Sequence, residues 1–75
     1  MRQIAPRIVL DDEVQAAKPV IAGTRVPVAM ILGVLAAGET MERIMSEYRI
    51  QREDILAAIA YAASLVSGED IRELS

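Results

Sequence analysis

Lys18-Pro19-Val20-Ile21-Ala22-Gly23-Thr24-Arg25-Val26-Pro27-Val28-Ala29-Met30-Ile31-Leu32-Gly33-Val34-Leu35-Ala36-Ala37-Gly38 is the stretch in which the hydrophobic period of this chain changes. Before Val28 the apolar residues come in short runs separated by turn formers. Val20-Ile21 and Val26 to Val28 read as two short strands, with Ala22-Gly23-Thr24 as the turn. Gly23 supplies a positive φ there at no steric cost. Pro19 and Pro27 lack backbone donors, so these strands are edges or the ribbon is very short. From Val28 onward, Val28, Ile31, Leu32 and Leu35 recur at helical spacing, and Gly38 suits a C-terminal cap. Gly33 costs that helix about 1 kcal/mol against alanine and is expected to permit close helix packing.

Toward the C-terminus the helical period continues. Thr40 is expected to cap a second helix in which Met41, Ile44, Met45 and Tyr48 form an i, i+3, i+4, i+7 stripe. Arg49-Ile50 is the next turn. Gln51 stands at the cap of a third helix whose first-turn Glu53 and Asp54 complement its dipole. Ile55, Ile59, Ala62 and Val66 form its stripe, widened by Leu56, Ala60 and Ala63, and Gly68 is expected to end it. Helices are thus predicted near 28–37, 40–48 and 51–67, with no strand between 41 and 66. Toward the N-terminus, Ile8-Val9-Leu10 reads as a strand. Val14 to Ala17 reads as one helical turn capped by Asp12.

The 75 residues form one domain, with a strand-rich segment 1–27, a three-helix core 28–67 and an acidic tail 68–75. The fold class is mostly α: three helices of helix-turn-helix type preceded by short strands. Such a chain buries only about 60–65% of its unfolded surface and is marginal alone. Composition is 53% hydrophobic, so the chain has the means to fold, but it has neither Phe nor Trp. The absence of Cys and His excludes disulfides, thiolate and histidine metal sites, and Ser-His or Cys-His nucleophilic chemistry. Asp11-Asp12-Glu13 cannot all face one cation in regular structure, and they read as a solvated turn. No catalytic, cofactor or metal residue is expected, and the protein is expected not to be an enzyme. The longest uncharged apolar stretch, 26–38, is too short for a membrane span, and a soluble, cytoplasmic protein is expected.

The net charge of −3 is unevenly spread: residues 1–27 carry +1, 28–50 carry −1 and 51–75 carry −3. A non-specific nucleic-acid binder needs a basic surface, and this chain lacks one. The helix from Thr40, the turn at Arg49-Ile50 and the helix from Gln51 nevertheless resemble a helix-turn-helix. In that reading Arg49 and Arg52 contact phosphates and Gln51 reads a base edge. The plainer reading of Gln51 and Arg52 is a solvated first turn, since Glu53 and Asp54 beside them repel phosphate. Arg25 is the most singular polar residue of the ribbon. An ion pair to a helix carboxylate, with Asp54 the best candidate, is its expected role. Ile71 and Leu74 in the acidic tail are candidate partner contacts. The edge strands near Ile8–Leu10 and Val26–Val28, with the alanine-rich third helix, offer surface for a homodimer.

Lys18-Pro-Val-Ile-Ala-Gly-Thr-Arg-Val-Pro-Val28 resembles the "GKPxIxGTRxPV" signature of domain-of-unknown-function family 433 (DUF433), with Ala17 in place of the usual glycine. The likeness continues through Leu35-Ala-Ala-Gly38, as in "lxxGxsxeeIxxxYp", with Arg49 where proline is common. It ends with Glu53-Asp-Ile-Leu-Ala-Ala-Ile-Ala-Tyr-Ala62, as in "leDIxAALxYA". It covers roughly residues 4–66, and Gly23-Thr24-Arg25 is its most specific part. The resemblance implies a homeodomain- or winged-helix-like domain. It also implies a place among VapB-like antitoxins of type II toxin–antitoxin systems, often encoded beside a PIN-like ribonuclease. The expected function is therefore an antitoxin-like module that binds a PIN-like toxin, with operator DNA bound only weakly by the protein alone. The alternatives are a stand-alone DNA-binding transcriptional regulator and a structural or interaction domain.

Overall fold

The computed structural model describes residues 2–10 and 18–74, the last six of these as helix backbone. Strands β1 (Arg2–Ala5), β2 (Ile8–Leu10) and β3 (Pro19–Ile21) form an antiparallel sheet in the order β1-β2-β3. Helices α1 (Val28–Ala36), α2 (Met41–Tyr48) and α3 (Arg52–Leu74) follow. No described residue between 41 and 66 is in a strand. The expected turn at 14–17, the acidic run 11–13 and Ala17 lie outside the described residues.

The sheet differs from the sequence reading in two ways. Residues 2–5 form a strand that had no expectation attached, and its hairpin makes β2 the central strand rather than an edge. Pro6-Arg7 closes that hairpin. The proline ring holds a negative φ and Arg7 takes φ 64°, the sign pattern of a type II turn. A register shift between Gln3 and Ala5 accompanies it. Val26–Val28 is not a strand. Val20 and Pro27 form a single bridge, Ile21 N–H donates to the Val26 carbonyl at 2.9 Å, and Val28 already begins α1.

Gly23, at φ 79°, turns the chain between these segments as expected. Thr24 staples the turn: its hydroxyl donates to the Ile21 carbonyl at 2.8 Å and accepts from Val26 N–H at 3.0 Å.

Isoleucine dominates the core. Ile8 and Ile21 project from the sheet, Val28 and Ile31 from α1, Ile44 from α2, Ile50 from the α2–α3 turn, and Ile55 and Ala58 from α3. Ile8 opposes Ile21 across the strands, while Val9 and Val20 pair on the other face and are also buried. Met41, Met45 and Tyr48 flank Ile44 against this core, as their stripe predicts.

Helix α1 ends in a Schellman cap. Gly38 takes φ 98°, Gly38 N–H donates to the Leu35 carbonyl at 3.0 Å and Glu39 N–H to the Val34 carbonyl at 3.1 Å. Gly33, in contrast, is exposed, and a Cβ built there meets nothing within 4 Å. The expected close packing at Gly33 is absent.

Two expectations about α3 are corrected. Gly68 does not end it; the helix continues to Leu74. One glycine costs about 1 kcal/mol but leaves the N–H···O ladder intact, and the residues after it are mostly good helix formers. Ile59 and Val66 are not core: they are 41% and 54% exposed. The buried line instead runs through Ile55 and Ala58, with Tyr61 and Ala62 half-buried.

Candidate functional site: the N-terminal end of the third helix

Three residues, 49–51, connect α2 to α3. Thr40 caps α2 by accepting Arg43 N–H at 3.2 Å. At its other end the helix closes on Arg49, which adopts a left-handed conformation with φ 56°. Ile50 N–H donates to the Met45 carbonyl at 3.2 Å, and the Ile50 side chain turns into the core. Proline, common here in the "Yp" signature, cannot adopt positive φ. Arg49 therefore closes this turn by a route that proline forbids, and its guanidinium is left on the exposed side.

Asp54 organises the start of α3. It is 8% exposed, the only charged residue buried among those described. One carboxylate oxygen accepts Gln51 N–H at 2.8 Å, which is the N3-to-N-cap half of a capping box. The other accepts the Arg7 Nη1 donor at 2.9 Å, in an ion pair spanning 47 residues of sequence. Arg7 Nη1 also reaches the Gln51 Oε1 at 3.2 Å. The Arg7 carbonyl accepts Ala22 N–H at 2.8 Å. One residue of the hairpin turn thus ties the end of β3 to the N-terminus of α3.

This corrects the expected Arg25–Asp54 pair. Asp54 is the anchoring carboxylate, but Arg7 is its partner, and Arg25 is exposed. The signal for Arg7 was legible in Ile4-Ala5-Pro6-Arg7-Ile8-Val9: two apolar pairs around a proline-led pair mark a hairpin.

The three expected DNA contacts come together here. Arg49, Gln51 and Arg52 are all exposed at one end of α3. Arg7 joins them with its side chain 44% exposed. Around this end Arg7, Arg49 and Arg52 stand against Glu53 and Asp54, a local excess of one positive charge within an acidic protein. Arg43 is engaged elsewhere, 3.6 Å from Glu39. Ile71 and Leu74 lie on α3, in the part described as backbone only.

Elsewhere the described surface carries an apolar depression of about 320 Å³ between α1, α3 and the approach to β3, with Pro19, Val28, Leu32, Tyr61 and Leu65 in its lining. Among the described residues no cluster of carboxylates could hold a metal ion, and no helix is long and apolar enough to cross a membrane.

These features define a class: a small, mostly α module whose α2–α3 helix pair is braced at its turn by an N-terminal sheet. Within it, the chain belongs to the family described as Protein of unknown function (DUF433), whose model matches residues 8–62. The matched span runs from β2 to the middle of α3. No curated protein and no solved structure matches the chain.

Proposed function

We propose that the protein is a non-enzymatic, cytoplasmic antitoxin-like module of a type II toxin–antitoxin pair. It binds a PIN-like toxin and, as a homodimer or in the toxin complex, contacts operator DNA through the N-terminal end of α3. The observation that carries the DNA contact is the exposed set Arg49, Gln51 and Arg52 on a turn braced by the Arg7–Asp54 pair. Toxin binding is supported by the resemblance of the Lys18–Val28 ribbon to the DUF433 signature, which implies a place in the VapB-like group. The net charge of −3 supports a need for the partner, because few phosphates can be neutralised by one chain.

The local positive excess at this helix end favours, as a second reading, a regulator that binds DNA without a partner. One experiment separates the two. Binding to the upstream operator is measured across a salt series, with and without the neighbouring gene's product. The antitoxin reading expects weak binding alone and tight binding with the partner. Arg49→Ala with Arg52→Ala is expected to flatten the salt dependence by roughly two phosphate contacts per chain. Tight, arginine-dependent binding by the isolated protein supports the second reading. Tight, specific binding that ignores both substitutions overturns the contact residues in either case.

A further inference from the structure

Gln51 immediately precedes α3 and is exposed between Arg49 and Arg52. In a helix-turn-helix, the residues at the start of the second helix are the ones that reach base edges in the major groove. The Gln51 amide is held in one orientation. Its Oε1 accepts Arg7 Nη1 at 3.2 Å, and the same Nη1 donates to Asp54 Oδ1 at 2.9 Å. Asp54 Oδ2 in turn accepts the Gln51 backbone N–H at 2.8 Å. The Arg7–Asp54 pair therefore anchors Gln51 at its backbone and at its side chain. The entropy of ordering this long side chain is lost on folding rather than on binding. Arg7 comes from the β1–β2 hairpin, outside the helix pair it serves.

We propose that Arg7 is the positioning residue that sets which base Gln51 reads, and that this base is guanine. The inference rests on the DNA contact proposed above and names its specificity. A free glutamine suits adenine: its carbonyl accepts from N6 and its amide donates to N7. Here the carbonyl oxygen already accepts from a guanidinium, so the Nε2 hydrogens are the groups left on offer. The amino group of adenine or cytosine, approaching Gln51 Oε1, would meet the Arg7 donor already there. Guanine carries two acceptors in the major groove, O6 and N7, and no donor. One acceptor takes the Gln51 amide and the other is favoured by the neighbouring cation. Both side-chain hydrogen bonds described for Arg7 leave from Nη1, and the side chain is 44% exposed. Thymine has a single acceptor beside a methyl group and ranks second.

The test is selection from a randomised duplex DNA library by the full chain, alone and with the neighbouring gene's product. Affinities are then measured for duplexes that differ at one base pair. Wild type is expected to select guanine at the position Gln51 reads, about tenfold over adenine. Gln51→Ala is expected to lose the preference at that position and to keep the others. Arg7→Gly suits the φ of 64° at this residue and releases Gln51 Oε1. It is expected to bring the guanine-to-adenine ratio down toward one, a change that a merely structural role of Arg7 would not produce. If circular dichroism shows that Arg7→Gly does not fold, Gln51→Glu decides. That variant offers acceptors in place of donors and is expected to exchange guanine for cytosine, whose N4 is a donor; an unchanged preference for guanine overturns the inference. Specific binding in which Gln51→Ala changes no position, or a position that is not guanine, also overturns it. So does an unchanged guanine-to-adenine ratio in folded Arg7→Gly. Each of these results leaves the DNA contact standing. A wild-type selection that enriches no sequence, alone and with the product, overturns the DNA contact and the inference with it.

Discussion

Arg7 and Asp54 form the one long-range ion pair among the described residues, and its two sides differ in exposure. Asp54 loses most of its hydration and regains it as two hydrogen bonds, from Gln51 N–H and from Arg7. Arg7 stays 44% exposed, so water and salt screen the pair and its charge is only part of the stabilisation. Asp54→Ala removes a cap as well as a partner and is expected to cost about 2–3 kcal/mol. Asp54→Asn retains an acceptor for Gln51 N–H and is expected to cost roughly half of that. Arg25→Ala is expected to change stability by less than about 0.5 kcal/mol, as exposed positions usually do. Urea denaturation midpoints rank the three. An Arg25→Ala loss as large as that of Asp54→Ala would contradict the assignment of Arg7 as the partner. The sequence pointed to the right carboxylate because an aspartate at the third position of a helix has a defined capping role. It pointed to the wrong arginine because Arg7 and Asp54 lie 47 residues apart, and only the packing of the sheet against α3 brings them together.

Elements show what the hydrophobic period can and cannot resolve. The glycines of α1 are a contrasting pair. Gly33 sits in open space inside the helix, so Gly33→Ala is expected to raise stability by about 0.5–1 kcal/mol. Gly38 is equally uncrowded but holds φ 98° in the Schellman cap. Gly38→Ala is therefore expected to lower stability, by roughly 1 kcal/mol, the strain of an alanine in the left-handed region. Thermal melts of the two variants should move in opposite directions. On α3, Ile55 is fully buried and Ile59 is 41% exposed. Ile55→Ala is expected to cost about 2–5 kcal/mol, and Ile59→Ala under about 1 kcal/mol in dilute, monomeric protein. Equal losses would restore Ile59 to the core. Both isoleucines belong to apolar lines on the same helix, and period alone does not say which line meets the other elements.

For the whole molecule, a core built mainly from isoleucine and valine gives a small reserve. Stability for a domain is commonly about 5–15 kcal/mol, and a chain of this length lies at the low end. If two copies associate, as the proposed homodimer does, association and folding are linked, and the melting temperature rises with protein concentration. Dimerisation also bears on DNA. Two copies present two sets of Arg7, Arg49 and Arg52.

Local rules determined a great deal here. The change of period at Val28, the caps at Thr40 and Gly38, and the Gly23-Thr24 turn were all legible, because each depends on residues within one or two turns of each other. The exposed grouping of Arg49, Gln51 and Arg52 was legible for the same reason. What only the tertiary structure decided was the direction in which each element faces. The Pro6-Arg7 hairpin made Ile8–Leu10 the central strand, placed Arg7 rather than Arg25 against Asp54, and settled which line of α3 the core covers. The last two of those outcomes depend on contacts between residues distant in sequence. The free energy that selects among them comes from burying Ile8, Ile21, Ile31, Ile44 and Ile55 together, a joint property that no one segment carries.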